Sequence, residues 1–538
     1  MKKSLEVDGT QNIHFWRRLF GYKMSMASCS AASASLAMEY ILLPLPGGIM
    51  ATGICVLLPT AMIILVIFSR RKVVTLVTAL LRNLAAGVVG TRRRRELSIQ
   101  VTDRAVAHRA LVQHSAAFLD RPLSAVPSTI LTRNRHFNIV SAPYGPYWRA
   151  ARRNLASNLL HPSRLGLLDD TRARVLADLL RALRSGAPAG ESLHFAMFNI
   201  AAEMCFGADV VSKLGPTRLR AMQKFNRDLL LAIPSFGVLV SYPRIGKLLY
   251  RSRWRQLLAL RRQQEESYMS LVAEVRSSPP HTTGFKCYVE SLLELRIHED
   301  DGRPFTDGEL VSLISEFLGG GTESTGASLE WTMANLVRRP ELQQKLRAEV
   351  DAAIVCSSRE SIQLQEAELS RMPYLKATVL ESLRRHPPVA TVVRHVQGEE
   401  AAKVLGAPSV ADVGATVEFV IGEISLDAAA WPDPTDFVPE RFMPGGDGEG
   451  ADLTCTRQLR MMPFGAGRRA CPGIAPAMLH LEYFVAHLVR EFEWWEADGD
   501  DRVDFTVLRG FVLNTMNHPL RARLVPRQQT SALVLHAS

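Results

Sequence analysis

Phe464-Gly465-Ala466-Gly467-Arg468-Arg469-Ala470-Cys471-Pro472-Gly473 is the stretch on which the reading of this chain turns. Glycines punctuate it, two adjacent arginines precede its single cysteine, and an amphipathic run at helical spacing follows from 473 to 492. The bland alternative is a Gly/Arg surface loop entering a helix beside an inert thiol, since an isolated cysteine is usually a small buried hydrophobe. The residue types around Cys471 separate the two readings.

A cysteine placed just before a helix has its ionised form favoured by the positive end of that helix. If a haem lies beside it, every neighbour acquires a task. The thiolate of Cys471 donates electron density through iron and favours splitting of a bound O–O bond. Gly467 and Gly473 permit turns and close approach of the backbone to a large flat cofactor. Arg469 is suited to a propionate carboxylate, Phe464 shields the sulfur side from water, and nearby N–H groups tune the sulfur. Cys471 is therefore read as the axial ligand of a haem b iron.

The pattern FxxGxRxCxG resembles the ligand loop of the cytochrome P-450 family, and further motifs follow in that family's order. Glu381-Ser-Leu-Arg384 resembles its ExxR helix, and Pro439-Glu-Arg441-Phe442 its PERF segment. An i, i+3 ion pair on a helix is commonplace by itself; its position ninety residues ahead of Cys471, with PERF between, gives it weight. The resemblance implies a buried structural network of Glu381, Arg384 and Arg441. Trp148-Arg-Ala-Ala-Arg152 resembles the family's WxxxR, which implies that Arg152 binds a propionate beside Trp148, and His395 in VVRHV falls where relatives carry another propionate donor. The likeness covers roughly residues 100–526 and looks closest to plant microsomal members.

Composition agrees with a large folded enzyme. The chain has 538 residues, 47% of them apolar and 22% charged, enough to bury a sizeable core. Its net charge of +11 suits an anionic membrane surface, an acidic protein partner or simply solvated Arg-rich helix faces. No zinc-finger spacing or single-strand recognition motif turns that charge into nucleic-acid binding, so no nucleic-acid partner is expected. The seven cysteines are scattered, odd in number and without a CxxC pair, which points to a reducing compartment rather than a disulfide framework.

Residues 49–68, IMATGICVLLPTAMIILVIF, carry no charge and are long enough to cross a bilayer once. Arg70, Arg71 and Lys72 flank the run and place its C-terminal side in the cytosol. The expected organisation is a leader, 1–48, whose first 37 residues read as an extended gene model or a poorly ordered lead-in before Met38. A transmembrane anchor follows at 49–68, then an atypical basic linker at 69–100 with Arg92–Arg95 and no proline, a catalytic domain at 101–526 and a tail at 527–538. Helical spacing dominates beyond residue 100, over 165–185, 309–339, 340–355, 365–386 and 473–492, with β-like stretches at 415–421 and 505–513. The fold class is thus mainly α with small β-sheets: the cytochrome P-450 fold, one large haem domain behind an N-terminal membrane anchor. The expected location is the endoplasmic reticulum membrane, single-pass, with the catalytic domain cytosolic.

Inside the longest helical run lies Gly319-Gly320-Gly321-Thr322-Glu323-Ser324-Thr325-Gly326. Three glycines in mid-helix cost about 1 kcal/mol each relative to alanine, so they mark either a helix-breaking loop or a functional opening. In the family this is the oxygen-activating segment, which implies a local kink, an acid at Glu323 that relays protons and hydroxyls at Ser324 and Thr325. Ser324 stands where relatives usually carry Thr. A second departure is Leu426 and Ala428 around Asp427, where relatives have Arg and Pro.

The resemblance implies an NADPH-dependent monooxygenase fed by a membrane-bound flavoprotein reductase, acting on an apolar small molecule. Its pocket would draw on 122–146, the helix near Phe317, 389–393 and the turn near Val512. Two other readings stay open at this point: a haem-thiolate isomerase or dehydratase, against which Glu323, Ser324 and Thr325 argue, and a catalytically impaired relative, prompted by the unusual linker.

Overall fold

A computed structural model describes residues 97–527, apart from 123–125, 133–137, 279–283, 298–300, 357–363, 498–501 and 510–512. The chain divides into units 1–91 and 92–538, and the described residues all lie in the second. The leader, the anchor at 49–68, nearly all of the linker, the turn at Val512 and all but the first residue of the tail fall outside them. Among the described residues no single helix is long and apolar enough to cross a membrane.

Six of the helices position the site: α1 (Pro146–Arg153), α2 (Ala189–Phe206), α3 (Ala208–Ala232), α4 (Asp307–Arg338), α5 (Pro373–Arg385) and α6 (Ile474–Glu491). The centre of the domain is α4. It starts two residues ahead of the expected Glu309 because Thr306 caps it: the Thr306 hydroxyl accepts the Glu309 N–H while the Glu309 carboxylate accepts the Thr306 N–H at 2.8 Å. It ends at Arg338, two residues before Pro340. Every residue from Thr325 to Val337 is buried, so this half is packed on all sides rather than along one stripe.

The helical run read over 365–386 divides into Glu366–Leu369 and α5. Pro373 is the cause, because its fixed φ and missing N–H suit the first position of a new helix.

Strands β1 (Leu97–Val101), β2 (Thr391–Val396) and β3 (Ala415–Val420) form one sheet in the order β1-β3-β2. Strand β1 opens inside the segment set apart as linker and runs parallel to β3, with Leu97 opposite Ala415 and Val101 opposite Phe419; β2 runs antiparallel on the other side, with His395 opposite Thr416. Ala415, Val417 and Phe419 are fully buried and alternate with half-exposed neighbours, the period of two that identified the strand. Strands β4 (Phe492–Glu496) and β7 (Ala522–Pro526) form a second sheet, β5 (Val507–Arg509) and β6 (Asn514–Met516) a third.

Candidate active site

The loop ahead of α6 folds back on itself: the Cys471 N–H donates to the Phe464 carbonyl at 2.8 Å and the Ala470 N–H to Gly467 at 2.9 Å. Gly467 has φ 72°, and a Cβ there would stand 1.8 Å from the Leu111 carbonyl oxygen, so this turn is closed to any side chain. Gly473 caps α6, and its N–H donates to the Cys471 sulfur at 3.3 Å. That contact and the nearby Arg152 guanidinium both favour the thiolate of this exposed sulfur. Metal ligation would remove the thiol proton outright.

Helix α1 delivers Trp148 and Arg152 one turn apart. Trp148 Nε1 donates to the Ile139 carbonyl at 3.1 Å, and the guanidiniums of Arg152 and Arg469 lie over its ring at 6.0 and 5.0 Å. Arg152 reaches the Ala470 carbonyl, Arg469 those of Ile139 and Ala142. Two further arginines join them: the pKa of Arg121 is pushed down to about 10 by burial and by Arg469 and Arg152, and that of Arg394 far below its ordinary value by burial, Arg121 and Arg469. The Nε atoms of Arg121, Arg394 and Arg469 are buried without a hydrogen-bond partner.

Four guanidiniums packed together in low dielectric, three with an orphaned donor, demand an anion. Glu316 on α4 supplies part of it. Its carboxylate accepts the N–H groups of Ile139 and Val140, each at 2.6 Å, and burial nevertheless lifts its pKa to about 7 against the pull of those donors, Arg121 and Arg152. The remaining cationic excess fits a doubly carboxylated cofactor such as haem beside Cys471.

Sequence reasoning missed Arg121, Arg394 and Glu316. The available signal for Arg394 was the strand itself: along β2 the residues Val392, Arg394 and Val396 face inward. His395 takes the alternate face, and its backbone N–H bonds the Asp120 carbonyl at 2.9 Å.

Through Gly319–Gly321 the helix is continuous, so the segment is not a helix-breaking loop. Missing side chains provide the opening instead. A Cβ at Gly320 or Gly321 would meet nothing within 4 Å, and both residues are exposed in the midst of a central helix. Ser324 turns its hydroxyl back to the Gly320 carbonyl at 2.7 Å, Thr322 does the same to Leu318, and Thr325 is buried. The buried Glu323 carboxylate faces His194 of α2 at 3.6 Å and Arg227 of α3 at 3.9 Å.

Away from this cluster, Glu381 and Arg384 meet through two contacts at 2.7 and 2.8 Å, with no exposure of either residue. Arg384 also donates to the carbonyls of Ser425, Pro434 and Asp436, and Arg441 lies 3.5 Å from Glu381. Asp427, in the segment where Leu426 and Ala428 depart from the family pattern, is held at 2.8 Å by Arg104, just after β1.

The cytochrome P-450 family model matches residues 59–521. Cytochrome P-450 89A9 of Arabidopsis thaliana is 39% identical over 445 residues, covering 80% of this chain and 85% of that protein. Cytochrome P-450 78A1 of Zea mays is 31% identical, covering 76% of this chain and 75% of the other. A zebra fish cytochrome P-450 solved with progesterone superposes with a TM-score of 0.62 over 80% of this chain and 94% of its own, at 22% identity, a likeness of fold alone.

Proposed function

Since the chain belongs to the cytochrome P-450 family, we propose that it is a haem-thiolate monooxygenase, inserting one oxygen atom from O2 into an apolar small molecule with electrons from NADPH through a reductase. The observation that carries this reading is the cluster of Arg121, Arg152, Arg394 and Arg469 beside Cys471, with three buried Nε donors unpartnered. Cys471 would ligate the iron, the arginines would hold the propionates, and Trp148, Phe464, Gly467 and Gly473 would shape the cradle. When bound, the haem supplies the activation of dioxygen.

The protein supplies protons and exclusion of water. Glu323 is buried and touches the partly exposed Arg227, an arrangement suited to passing a proton inward from solvent. Ser324 and Thr325 provide hydroxyls on the same stretch of α4. The Glu381–Arg384–Arg441 network is structural: it ties α5 to the 433–441 segment. The run 49–68 anchors the enzyme in the endoplasmic reticulum membrane, and the basic surface docks an acidic reductase.

The deciding measurement is the carbon monoxide difference spectrum of the reduced, haem-loaded protein. A Soret band of the thiolate-ligated type is expected for wild type and its loss for Cys471→Ser; a folded, loaded wild type without that band refutes the assignment.

A further inference from the structure

Where α2 crosses α4, His194 is enclosed between two carboxylates. Its Nδ1 lies 3.6 Å from Glu323 and its Nε2 3.2 Å from Glu330. The two glutamates stand seven residues apart on one face of α4, and all three side chains are at most 5% exposed. Nδ1 makes no hydrogen bond although it is buried. The other Glu330 oxygen accepts the Leu520 N–H at 2.8 Å, which anchors that end. Gly326 makes the arrangement possible: a Cβ there would stand 2.6 Å from Nδ1.

An imidazole flanked by two carboxylates can take a proton at one nitrogen while giving one at the other. Among the described residues, the charged groups facing the ring are Glu323 and Glu330 of α4 and, beyond Glu323, Arg227 of α3. Glu191, one turn away on α2, is exposed.

We propose that His194 is a relay residue that links Glu330, as an internal proton store, to Glu323; this rests on the monooxygenase reading above. The Glu330 O–H bond breaks as an Nε2–H bond forms, and the Nδ1–H bond breaks as a Glu323 O–H bond forms. No electron moves and the net charge of the cluster is unchanged. Between turnovers the store refills by the reverse path, from a solvent proton entering past Arg227. Of the two protons needed to carry dioxygen past peroxide, one then comes from solvent and one from the store.

The test needs no identified substrate. Full-length enzyme reconstituted with a flavoprotein reductase and NADPH reduces dioxygen either to hydrogen peroxide, consuming one NADPH and one proton per O2, or to two waters, consuming two of each. In His194→Gln the peroxide released per O2 consumed should rise about tenfold, less than for loss of an entire general acid because the route past Arg227 remains. Its pH profile should also change: peroxide falls steeply as pH falls in the variant, because every proton must come from solvent, and changes little in wild type. Glu330→Gln, which keeps the shape of the store but not its acid, should behave alike. Both variants should retain the thiolate-type carbon monoxide band, which shows that the haem site is intact. An unchanged partition and pH profile in variants that keep the band overturns the relay alone. A wild type that lacks the band overturns the monooxygenase reading and the relay with it.

Discussion

Arg152 donates to the Ala470 carbonyl at 2.5 Å, so the residue that α1 presents to the site also grips the backbone immediately ahead of Cys471. Burial lowers its pKa and the Cys471 sulfur acts to raise it, a balance that improves whenever negative charge arrives. Arg152→Gln removes a charged donor worth about 1.5–3 kcal/mol. Haem should then be released roughly ten- to a hundredfold more readily, read as the rate of haem transfer to an excess of apo-globin.

Glu381→Ala strands the fully buried Arg384. The expected loss is about 3–5 kcal/mol, read from the denaturant midpoint. Arg441→Ala, whose contact with Glu381 is 3.5 Å, should cost less; equal losses would mean that the two arginines carry the network together.

At Gly467 the positive φ and the 1.8 Å approach to the Leu111 carbonyl oppose any side chain. Gly467→Ala should cost at least the roughly 1–3 kcal/mol of a strained backbone conformation and displace the ligand loop. A lowered thermal midpoint accompanied by a fall in haem-to-protein ratio is the expected result.

Glu316 carries a pH signature. Its folded pKa, about 7, lies above its ordinary value of 4.5, so between these values the folded state binds more protons than the unfolded one. Stability attributable to this residue therefore falls as pH rises through that window and is lowest above pH 7. The thermal midpoint of wild type minus that of Glu316→Gln should increase as pH is lowered from about 7 toward 5; a flat difference would contradict it.

Ser324→Ala frees the Gly320 carbonyl and removes a hydroxyl from the opening over Gly320 and Gly321. Peroxide release per NADPH should rise, and an unaltered ratio would take Ser324 out of the reaction.

What the sequence discloses is what spacing encodes. The loop before α6, the WxxxR turn of α1 and the Glu381–Arg384 pair are legible because their residues sit a fixed few positions apart, and α4 because Pro340 closes a periodic run, whereas its Thr306 cap went unread. Arg121, Arg394, Glu316 and His194 are not legible in this way. Each is a lone charged or titratable residue whose neighbours arrive from distant segments, and burial is what gives it meaning. The three glycines invite a helix-breaking loop on propensity alone; in the folded chain the helix runs on through them, its following half, Thr325–Val337, fixed by packing on all sides.

The parallel alignment of Leu97–Val101 with Ala415–Phe419 has a consequence for how this chain is made. The strand Leu97–Val101 emerges from the ribosome roughly 300 residues before its partner, and at about 5–20 residues per second that is a wait of about 15–60 s. Throughout that interval β1 is an unpaired edge with no sheet to join. Closure of the sheet that carries Arg394 is thus a late, long-range event in the making of the chain.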